Sequence, residues 1–200
     1  MAVLNATKKE LQCKIVYYGP GRGGKTTNLD YIHKKLKNKT KSKMLSIKTH
    51  GDRTLFFDFL PLDLGQIGGY AVRLQLYTVP GQVRYNATRK LVLRGVDGIV
   101  FVADSLSQQR DKNLISLQNL EKNLSEYGIS LSKIPIVLQY NKRDLEDKGV
   151  TLIPIDVMES DLNSKLKTES FPASAINGDN VLNTLKMISK LTLKELKDNL

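Results

Sequence analysis

The chain has 200 residues, of which 40% are hydrophobic and 26% are charged, and its formal net charge is +11. This composition is that of a globular protein with a substantial core, and we expect one domain over residues 1–200 that starts with a short N-terminal extension, residues 1–10. No apolar run approaches the roughly 20 residues that span a membrane, and the single cysteine, Cys13, excludes an internal disulfide and a multi-cysteine metal site.

Extended and helical patterns alternate along the chain. Seven segments have the apolar or alternating pattern of a strand, at residues 11–18, 44–47, 55–60, 71–79, 97–104, 134–140 and 168–173. Five segments have apolar residues at helical spacing, at residues 25–37, 83–93, 108–127, 155–166 and 179–196. This alternation predicts the α/β fold class, with a doubly wound, mostly parallel sheet and helices on both faces.

Local patterns predict how some of these segments are placed. In residues 71–79 apolar and polar side chains alternate, which predicts a half-exposed, antiparallel strand at or near an edge of the sheet. Residues 61–69 are rich in turn formers and predict a loop. In the helix 108–127 the predicted inner stripe consists of Leu114, Leu117, Leu120 or Glu121, Leu124 and Tyr127.

A glycine-rich segment stands between the first predicted strand and the first predicted helix. Residues 19–27 read G-x-x-x-x-G-K-T-T, the phosphate-binding loop pattern, and this context favours that interpretation over a glycine-rich turn with a stray lysine. Glycines let backbone N–H groups approach phosphate oxygens, Lys25 can reach the β- and γ-phosphates, and the Thr26 hydroxyl can ligate Mg²⁺. The predicted phosphate-binding residues are Gly19, Gly21, Gly23, Gly24, Lys25, Thr26 and Thr27.

The loop after the strand 134–140 reads N-K-x-D and indicates guanine rather than a simple polar turn. The carboxylate of Asp144 can accept two hydrogen bonds from the N1–H and the exocyclic amine of guanine, whereas adenine has neither donor on that edge. We expect Asn141 to tie this loop to the phosphate loop and the stem of Lys142 to cover the base. In the Ser174-Ala175 pair, which follows the last predicted strand, a backbone N–H can contact the guanine carbonyl. Because ligands bind at the carboxyl ends of the strands in such sheets, these loops should meet in one site.

Four long stretches carry a family resemblance: KIVYYGPGRGGKTTNLDYI, GDRTLFFDFLPLDLG, LYTVPGQVRYNATRKLVLRGVDGIVFVADS and QYNKRDL. On these stretches the chain resembles the Ras-like small GTPases and, more narrowly, the bacterial MglA-type (mutual-gliding-motility) group, over nearly its whole length. The resemblance implies a P-loop small GTPase fold, GTP/GDP and Mg²⁺ as ligands, and slow GTP hydrolysis that an activating protein stimulates.

The chain departs from the Ras-like pattern at the γ-phosphate side. Ras-like proteins have D-x-x-G where this chain has Thr78-Val79-Pro80-Gly81, although the threonine agrees with the MglA-type group. Thr78 therefore stands where an aspartate would hold a Mg²⁺-bound water. A hydroxyl is a weaker, uncharged anchor for that water, which keeps open the alternative of a non-hydrolysing guanine-nucleotide-binding scaffold. The resemblance implies that the Gly81 N–H senses the γ-phosphate and that Gln82 orients the attacking water.

Two further residues take their roles from the resemblance, both in the polar loop before the strand 55–60. Thr54 is the candidate switch threonine, which would contact Mg²⁺ and the γ-phosphate only in the GTP state. Arg53 is the candidate arginine that neutralises transition-state charge in cis. The alternative for Arg53 is a surface arginine in a loop.

The resemblance also implies partners. MglA-type proteins are switched off by a dimeric roadblock-domain (MglB-type) GTPase-activating protein, and in the GTP state they recruit polarity and motility effectors at a cell pole. We therefore expect a cytoplasmic protein that is recruited to a pole with GTP bound and has no integral membrane segment or lipid anchor. The apolar segment 55–62 is either an interaction surface or a strand facing the core; we assign Leu55, Phe57 and Phe59 to the core and leave Phe56 open.

The positive charge raises the alternative of a nucleic-acid-binding GTPase. Seven lysines occur between residues 31 and 49 without one acidic residue: Lys34, Lys35, Lys37, Lys39, Lys41, Lys43 and Lys48. We interpret this stretch as a solvated helix end and loop, and we expect no nucleic-acid partner because the chain has no aromatic–basic binding surface. An ATP-handling kinase is a more distant alternative, because N-K-x-D favours guanine.

Overall fold

The computed structural model describes residues 3–5, 9–37, 44–48 and 56–198. Within them the strands are β1 (Val3–Asn5), β2 (Glu10–Tyr18), β3 (Leu45–Lys48), β4 (Phe56–Ile67), β5 (Tyr70–Thr78), β6 (Gly98–Asp104), β7 (Ile136–Asn141) and β8 (Ser170–Pro172). The helices are α1 (Lys25–Lys35), α2 (Asn86–Leu93), α3 (Arg110–Ser125), α4 (Ile155–Leu162) and α5 (Val181–Asp198). None of the helices in this described part is long and apolar enough to cross a membrane.

The strands form one sheet in the order β3, β4, β5, β2, β6, β7, β8, with β1 paired to β2. β5, β2, β6, β7 and β8 pair in parallel, whereas β1, β3 and β4 pair antiparallel to their neighbours. Helices pack on both faces, which confirms the predicted doubly wound, mostly parallel sheet. The parallel strands therefore end at the same edge, where ligands bind in folds of this class.

The buried core has two halves, one on each face of the sheet. Along β2 the side chains alternate between them: Val16 and Tyr18 join the half that α2, α3 and α4 cover, whereas Cys13, Ile15 and Tyr17 join the half that α1 and α5 cover. β6 is buried along its whole length, as its continuous apolar run predicts. Burial raises the pKa of the Cys13 thiol to about 12, so this cysteine is an unreactive packing residue.

β4 is longer than the sequence pattern predicts. It continues through most of residues 61–69, so the prediction of a loop there was wrong. The turn is confined to Gly68 and Gly69, which both have positive φ. Pro61 is tolerated because the pairing with β3 ends at Phe59, and beyond that point β4 pairs with β5 alone among the described strands.

β5 lies between β4 and β2, third from the β3 end of the sheet, so it is not at the edge; it pairs antiparallel with β4, as predicted, but in parallel with β2. The polar half of its alternating pattern is covered by long side chains. Lys14 lies over the ring of Tyr77, with Nζ 4.7 Å from the ring centroid, and Arg73 pairs with Glu10 at 3.4 Å. The alternation of apolar and polar residues in β5 therefore reflects a sheet face that polar side chains cover, and not a position at the edge of the sheet.

The buried residues of β4 differ from the predicted ones. Leu60 and Leu62 are fully buried, the first on the face opposite to the predicted core face and the second in the predicted loop. Phe57 and Phe59 are only half-buried, so their assignment to the core is corrected; Phe57 packs at its margin.

α3 buries a more polar face than its predicted stripe. Leu120 and Leu124 are buried as predicted, but Tyr127 is 40% exposed, so its place in the inner stripe was wrong. Three polar residues of the helix are also buried: Asn113, Ser116 and Asn123.

Candidate nucleotide-binding site

The loop between β2 and α1 adopts the conformation that its glycines predict. Gly19 and Gly24 have φ angles of +144° and +98°, which residues with a side chain rarely adopt. A Cβ atom on Gly19 would overlap the carbonyl oxygen of Val102, and one on Gly24 would overlap the amide of Asn141. α1 begins directly afterwards at Lys25, which places the first backbone N–H groups of the helix at the loop. This arrangement suits the binding of a phosphate group.

Lys25 is a buried cation of this loop, with 6% of its surface exposed. Its Nζ donates to the carbonyl oxygens of Pro20, at 2.6 Å, and Gly19, at 3.2 Å. Burial, together with the positive charge of Arg89, lowers the pKa of Lys25 to about 7, although two nearby carboxylates oppose that shift. A phosphate group at the loop would raise the pKa again and keep the ammonium charged.

A carboxylate from β4 lies at the predicted γ-phosphate side of the site. Asp58 Oδ2 accepts hydrogen bonds from Thr26 Oγ1, at 2.6 Å, and from Thr78 Oγ1, at 2.8 Å. The Asp58 N–H in turn donates to Thr78 Oγ1 at 2.9 Å. The negative charge that the common motif would supply at position 78 therefore comes from the neighbouring antiparallel strand.

These groups suit a magnesium ion. Mg²⁺ prefers hard oxygen ligands and is held through one or two carboxylates together with phosphate oxygens and water. The Thr26 hydroxyl and the Asp58 carboxylate supply such oxygens at the predicted metal position. A cluster of three or more His, Cys, Asp or Glu side chains that could hold a metal without phosphate does not occur in the described ranges.

The loop after β5 packs directly against the phosphate loop. A Cβ atom on Gly81 would overlap the backbone of Gly21, so only glycine permits this approach. Gln82 follows, is exposed, and extends beside Gly21. Both residues thus lie at the phosphate loop, and their roles toward the γ-phosphate and the attacking water stay predictions.

At the other end of the site, Asn141 joins three loops. It is 2% exposed, and its Nδ2 donates to the Gly23 carbonyl at 2.8 Å. Its Oδ1 accepts from the Ala175 N–H, also at 2.8 Å. The predicted tie between this loop and the phosphate loop is present, and it extends to the loop after β8. The Ala175 N–H is one of those that the sequence offers to the guanine carbonyl, and here it donates to Asn141.

The remaining residues of the base end are held by ion pairs and turns. Lys142 has φ +74°, and its Nζ lies 2.5 Å from Asp104 Oδ2, a carboxylate that is 1% exposed. The side chain of Asp144 is 8% exposed, and the ammonium of Lys148 lies 3.9 Å from Asp144 Oδ2. Ser174 is buried, and its Oγ accepts from the N–H of the turn that follows. Asp144 thus presents a carboxylate that is shielded from water and only loosely paired with Lys148.

Two of the predicted switch residues, Arg53 and Thr54, lie outside the described residues, as do Leu55 and the side chain of Phe56. The roles assigned to Arg53 and Thr54 stay predictions.

Sequence reasoning missed two charged residues of this region, Asp58 and Arg89. A single acidic residue inside the apolar run L-F-F-D-F-L was the available signal for Asp58, because an unpaired carboxylate is costly to bury in a strand. Arg89 gave no such signal, because arginine is ordinary on the exposed face of a helix.

Comparisons with known proteins agree with this geometry. A model of the Ras family matches residues 14–194. The chain is 53% identical over 197 residues to the mutual gliding-motility protein MglA of Myxococcus xanthus, and the match covers 98% of each chain. It is 27% identical over 194 residues to the Ras-related protein RABG3f of Arabidopsis thaliana, covering 94% of this chain and 85% of that protein. It is also 27% identical over 195 residues to the Ras-related protein Rab7 of Cenchrus ciliaris, covering 94% and 86%.

The matched residues include the phosphate loop, the Thr78–Gly81 loop and the N-K-x-D loop, which the fold brings to one edge of the sheet. The chain therefore belongs to the Ras family and is a small GTPase of the MglA type.

Proposed function

We propose that this GTPase is a molecular switch that binds GTP and GDP with Mg²⁺ in the site described above and controls cell polarity or gliding or twitching motility. The observation that carries the nucleotide assignment is the position of Asn141, whose two hydrogen bonds join the phosphate loop to the loop after β8. Phosphate groups and a base bound at these loops would occupy one continuous site. Asp144, three residues further on, is the carboxylate for the guanine edge.

Hydrolysis follows from the residues at the γ-phosphate end. Lys25 and the backbone N–H groups of the phosphate loop bind the β- and γ-phosphates. Gln82 orients the attacking water beside Gly81, and Arg53 neutralises the charge that develops in the transition state. A Mg²⁺ ion held at this end of the site would supply positive charge that neutralises the phosphate groups.

Asp58 and Thr26 are the residues that would hold the metal, together with Thr54 in the GTP state. Asp58 supplies the carboxylate that the common motif has at position 78. Two hydrogen bonds with Thr78 fix Asp58 in place. A carboxylate at this point favours a hydrolysing switch over a scaffold that only binds nucleotide, because it restores the charge that the metal site needs.

The biological role rests on the relative from Myxococcus xanthus, whose name records mutual gliding motility. From the resemblance to the MglA-type group we further propose that the protein acts in the cytoplasm, recruits polarity and motility effectors at a cell pole in the GTP state, and is switched off by a dimeric roadblock-domain activating protein of the MglB type. One domain over residues 1–200 fits this role. The pairing of β1 with β2 supports an N-terminal extension that packs on that domain.

Equilibrium binding of GDP, GTP, ADP and ATP in the presence of Mg²⁺ tests the nucleotide assignment. We expect tight binding of the guanine nucleotides only. Asp144→Asn should lose about 100-fold or more in GDP affinity, because two hydrogen bonds to a charged acceptor are weakened. Asp147→Asn, an exposed carboxylate in the same turn, is the matched control and should bind as wild type does. Weak binding that does not distinguish the bases would overturn the proposal and indicate a scaffold.

A further inference from the structure

Arg89 is a buried cation beneath the γ-phosphate end of the site. It lies on α2, eight residues after Gly81, and its exposed fraction is 0%. Its guanidinium donates from Nε to the Tyr18 hydroxyl at 2.8 Å and from one terminal nitrogen to Ser116 Oγ at 2.9 Å. The other terminal nitrogen lies 3.4 Å from the Gly81 carbonyl oxygen.

The groups that surround Arg89 are neutral. Burial raises the pKa of the Tyr18 hydroxyl, which therefore stays protonated, and Ser116 carries no charge. Across the described ranges, Arg89 makes no salt bridge with a carboxylate. Burial lowers the pKa of Arg89, but a guanidinium remains charged in proteins. Buried charges are normally paired, so this positive charge lacks the local partner that such a position usually has.

The position of the charge relative to the site suggests its partner. The field of Arg89 reaches Lys25 in the phosphate loop, where it opposes protonation. The contact with Gly81 places the Arg89 guanidinium against the loop that packs on Gly21. Two buried positive charges thus act on the point where the terminal phosphate of a nucleotide would lie.

A polar cluster fixes Arg89 in this position. The Tyr18 hydroxyl, which Arg89 contacts, donates to Asn119 Oδ1 at 2.7 Å and accepts from Asn123 Nδ2 at 3.1 Å. Both asparagines also donate to Asn86 Oδ1 on α2, at 2.9 and 2.8 Å. α2 is therefore held to α3, and to the residue that precedes the phosphate loop, by directional bonds as well as by apolar contact.

We propose that Arg89 is a specificity-determining residue that makes the site favour a nucleoside triphosphate over the corresponding diphosphate. This inference rests on the proposed guanine-nucleotide binding. The third phosphate brings additional negative charge to the end of the site that Arg89 faces, and because the guanidinium is buried, solvent screens the attraction only in part. The diphosphate lies farther from Arg89 and gains less from it.

The test is the ratio of two affinities in variants at position 89. Dissociation constants for GDP and for a non-hydrolysable GTP analogue, both with Mg²⁺, are measured for wild type, Arg89→Met and Arg89→Lys. In Arg89→Met the affinity for the triphosphate should fall about tenfold more than the affinity for GDP, because a buried charge is lost. Arg89→Lys keeps the charge and should keep the ratio within about threefold of wild type.

Lys90→Met is the matched control. Lys90 is the next residue of α2, its side chain is 34% exposed, and it pairs with Glu126 at the surface. The ratio should not change in this variant, because solvent screens a surface charge. If the ratio falls equally in Lys90→Met and Arg89→Met, the effect is one of overall charge and the inference is wrong.

Two further outcomes separate the possible failures. If Arg89→Met lowers both affinities equally, Arg89 is only a packing residue and the inference is wrong while the proposed function stands. If the wild-type protein binds neither nucleotide, both the proposed function and this inference are wrong. If methionine prevents folding, as thermal unfolding would reveal, Arg89→Gln is judged by the same ratio, because glutamine is neutral and can still donate to Tyr18.

Discussion

The two ends of the nucleotide site are held by different kinds of hydrogen bond. At the base end, the buried amide of Asn141 bonds to two backbone groups, the Gly23 carbonyl and the Ala175 N–H. At the γ-phosphate end, the bonds run from the hydroxyls of Thr26 and Thr78 to one carboxylate, Asp58. The first kind cannot break without leaving buried groups unpaired. The second kind can be exchanged for bonds to a metal ion or water.

This difference matches what a switch requires. Recognition of the base must be the same in both nucleotide states, and in the proposed site the amide bridge of Asn141 would provide that constancy. The γ-phosphate end must differ between the states, and Thr26 is exposed there and bonds to β4, the strand that follows the predicted switch residues in the sequence. The fold thus separates a fixed subsite from an adjustable one along a single sheet edge.

Removal of the amide bridge should have the largest effect. In Asn141→Ala the Gly23 carbonyl and the Ala175 N–H both lose their partner, which should lower the free energy of unfolding by about 3 kcal/mol and lower GDP affinity by roughly 100-fold or more. Urea unfolding and GDP titration measure the two quantities. Asn177→Ala, an exposed amide in the loop after β8, is the control and should change neither by much. Wild-type GDP affinity in Asn141→Ala would show that the base end is not held as described.

Substitution of the shared carboxylate should give a smaller and metal-dependent effect. Asp58→Asn keeps the shape of the side chain but removes its charge, so the Mg²⁺ concentration that gives half-maximal nucleotide affinity should rise about tenfold. Nucleotide affinity in excess chelator should change little, because the effect acts through the metal. Titration of Mg²⁺ against a fluorescent GDP analogue measures both, and Asp63→Asn, farther along β4, is the control.

The substitution Thr78→Asp tests the contact between positions 58 and 78 from its other side. It restores the common motif but places a second carboxylate against Asp58 at a position that is 3% exposed. We expect it to destabilise the metal-free protein by roughly 1–3 kcal/mol, since two like charges in contact repel each other. The double variant Asp58→Asn with Thr78→Asp should recover most of that loss. If Thr78→Asp is as stable as wild type, Asp58 does not occupy the place of the missing aspartate.

The base end could be predicted from the sequence because its information is local. N-K-x-D is four consecutive residues, and the buried strand before it gives a continuous apolar run, so the position of this loop follows from the sequence, while its recognition of guanine stays a prediction. The phosphate loop is equally contiguous. The alternation of such strands with helices also gave the fold class.

The γ-phosphate end could not be predicted in full, because its information lies in strand register. Asp58 faces Thr78 only because β4 pairs antiparallel with β5, with Phe59 opposite Tyr77. A loop predicted at residues 61–69 left that register undetermined. The buried asparagines of α3 were not predicted for a related reason. Helical periodicity assigns leucines to the inner face, and a polar residue in a buried hydrogen-bonded cluster has the same sequence pattern as one in solvent.

The smallest effect concerns Lys25, the buried lysine of the phosphate loop. Its pKa is lowered to about 7 in the protein without nucleotide, and phosphate should raise it again. Above pH 7, GDP binding should therefore take up a proton, and GDP affinity should fall by at most about tenfold per pH unit. The free energy of unfolding changes with pH in the opposite direction to GDP affinity. The unfolded lysine titrates near 10.5, so the unfolded chain binds more protons between pH 7 and 10.5, and the stability of the nucleotide-free protein should rise across that window.

Calorimetric titration of GDP in buffers of different ionisation enthalpy measures this proton uptake directly. We expect uptake approaching one proton at pH 8.5 and close to none at pH 6, where Lys25 is already charged. Lys25→Arg provides the control, because a guanidinium stays charged at both values and should take up none. No proton uptake by the wild type at either pH would mean that Lys25 is fully charged before the nucleotide binds. The two carboxylates near the phosphate loop would then outweigh the effects of burial and of Arg89 on this lysine.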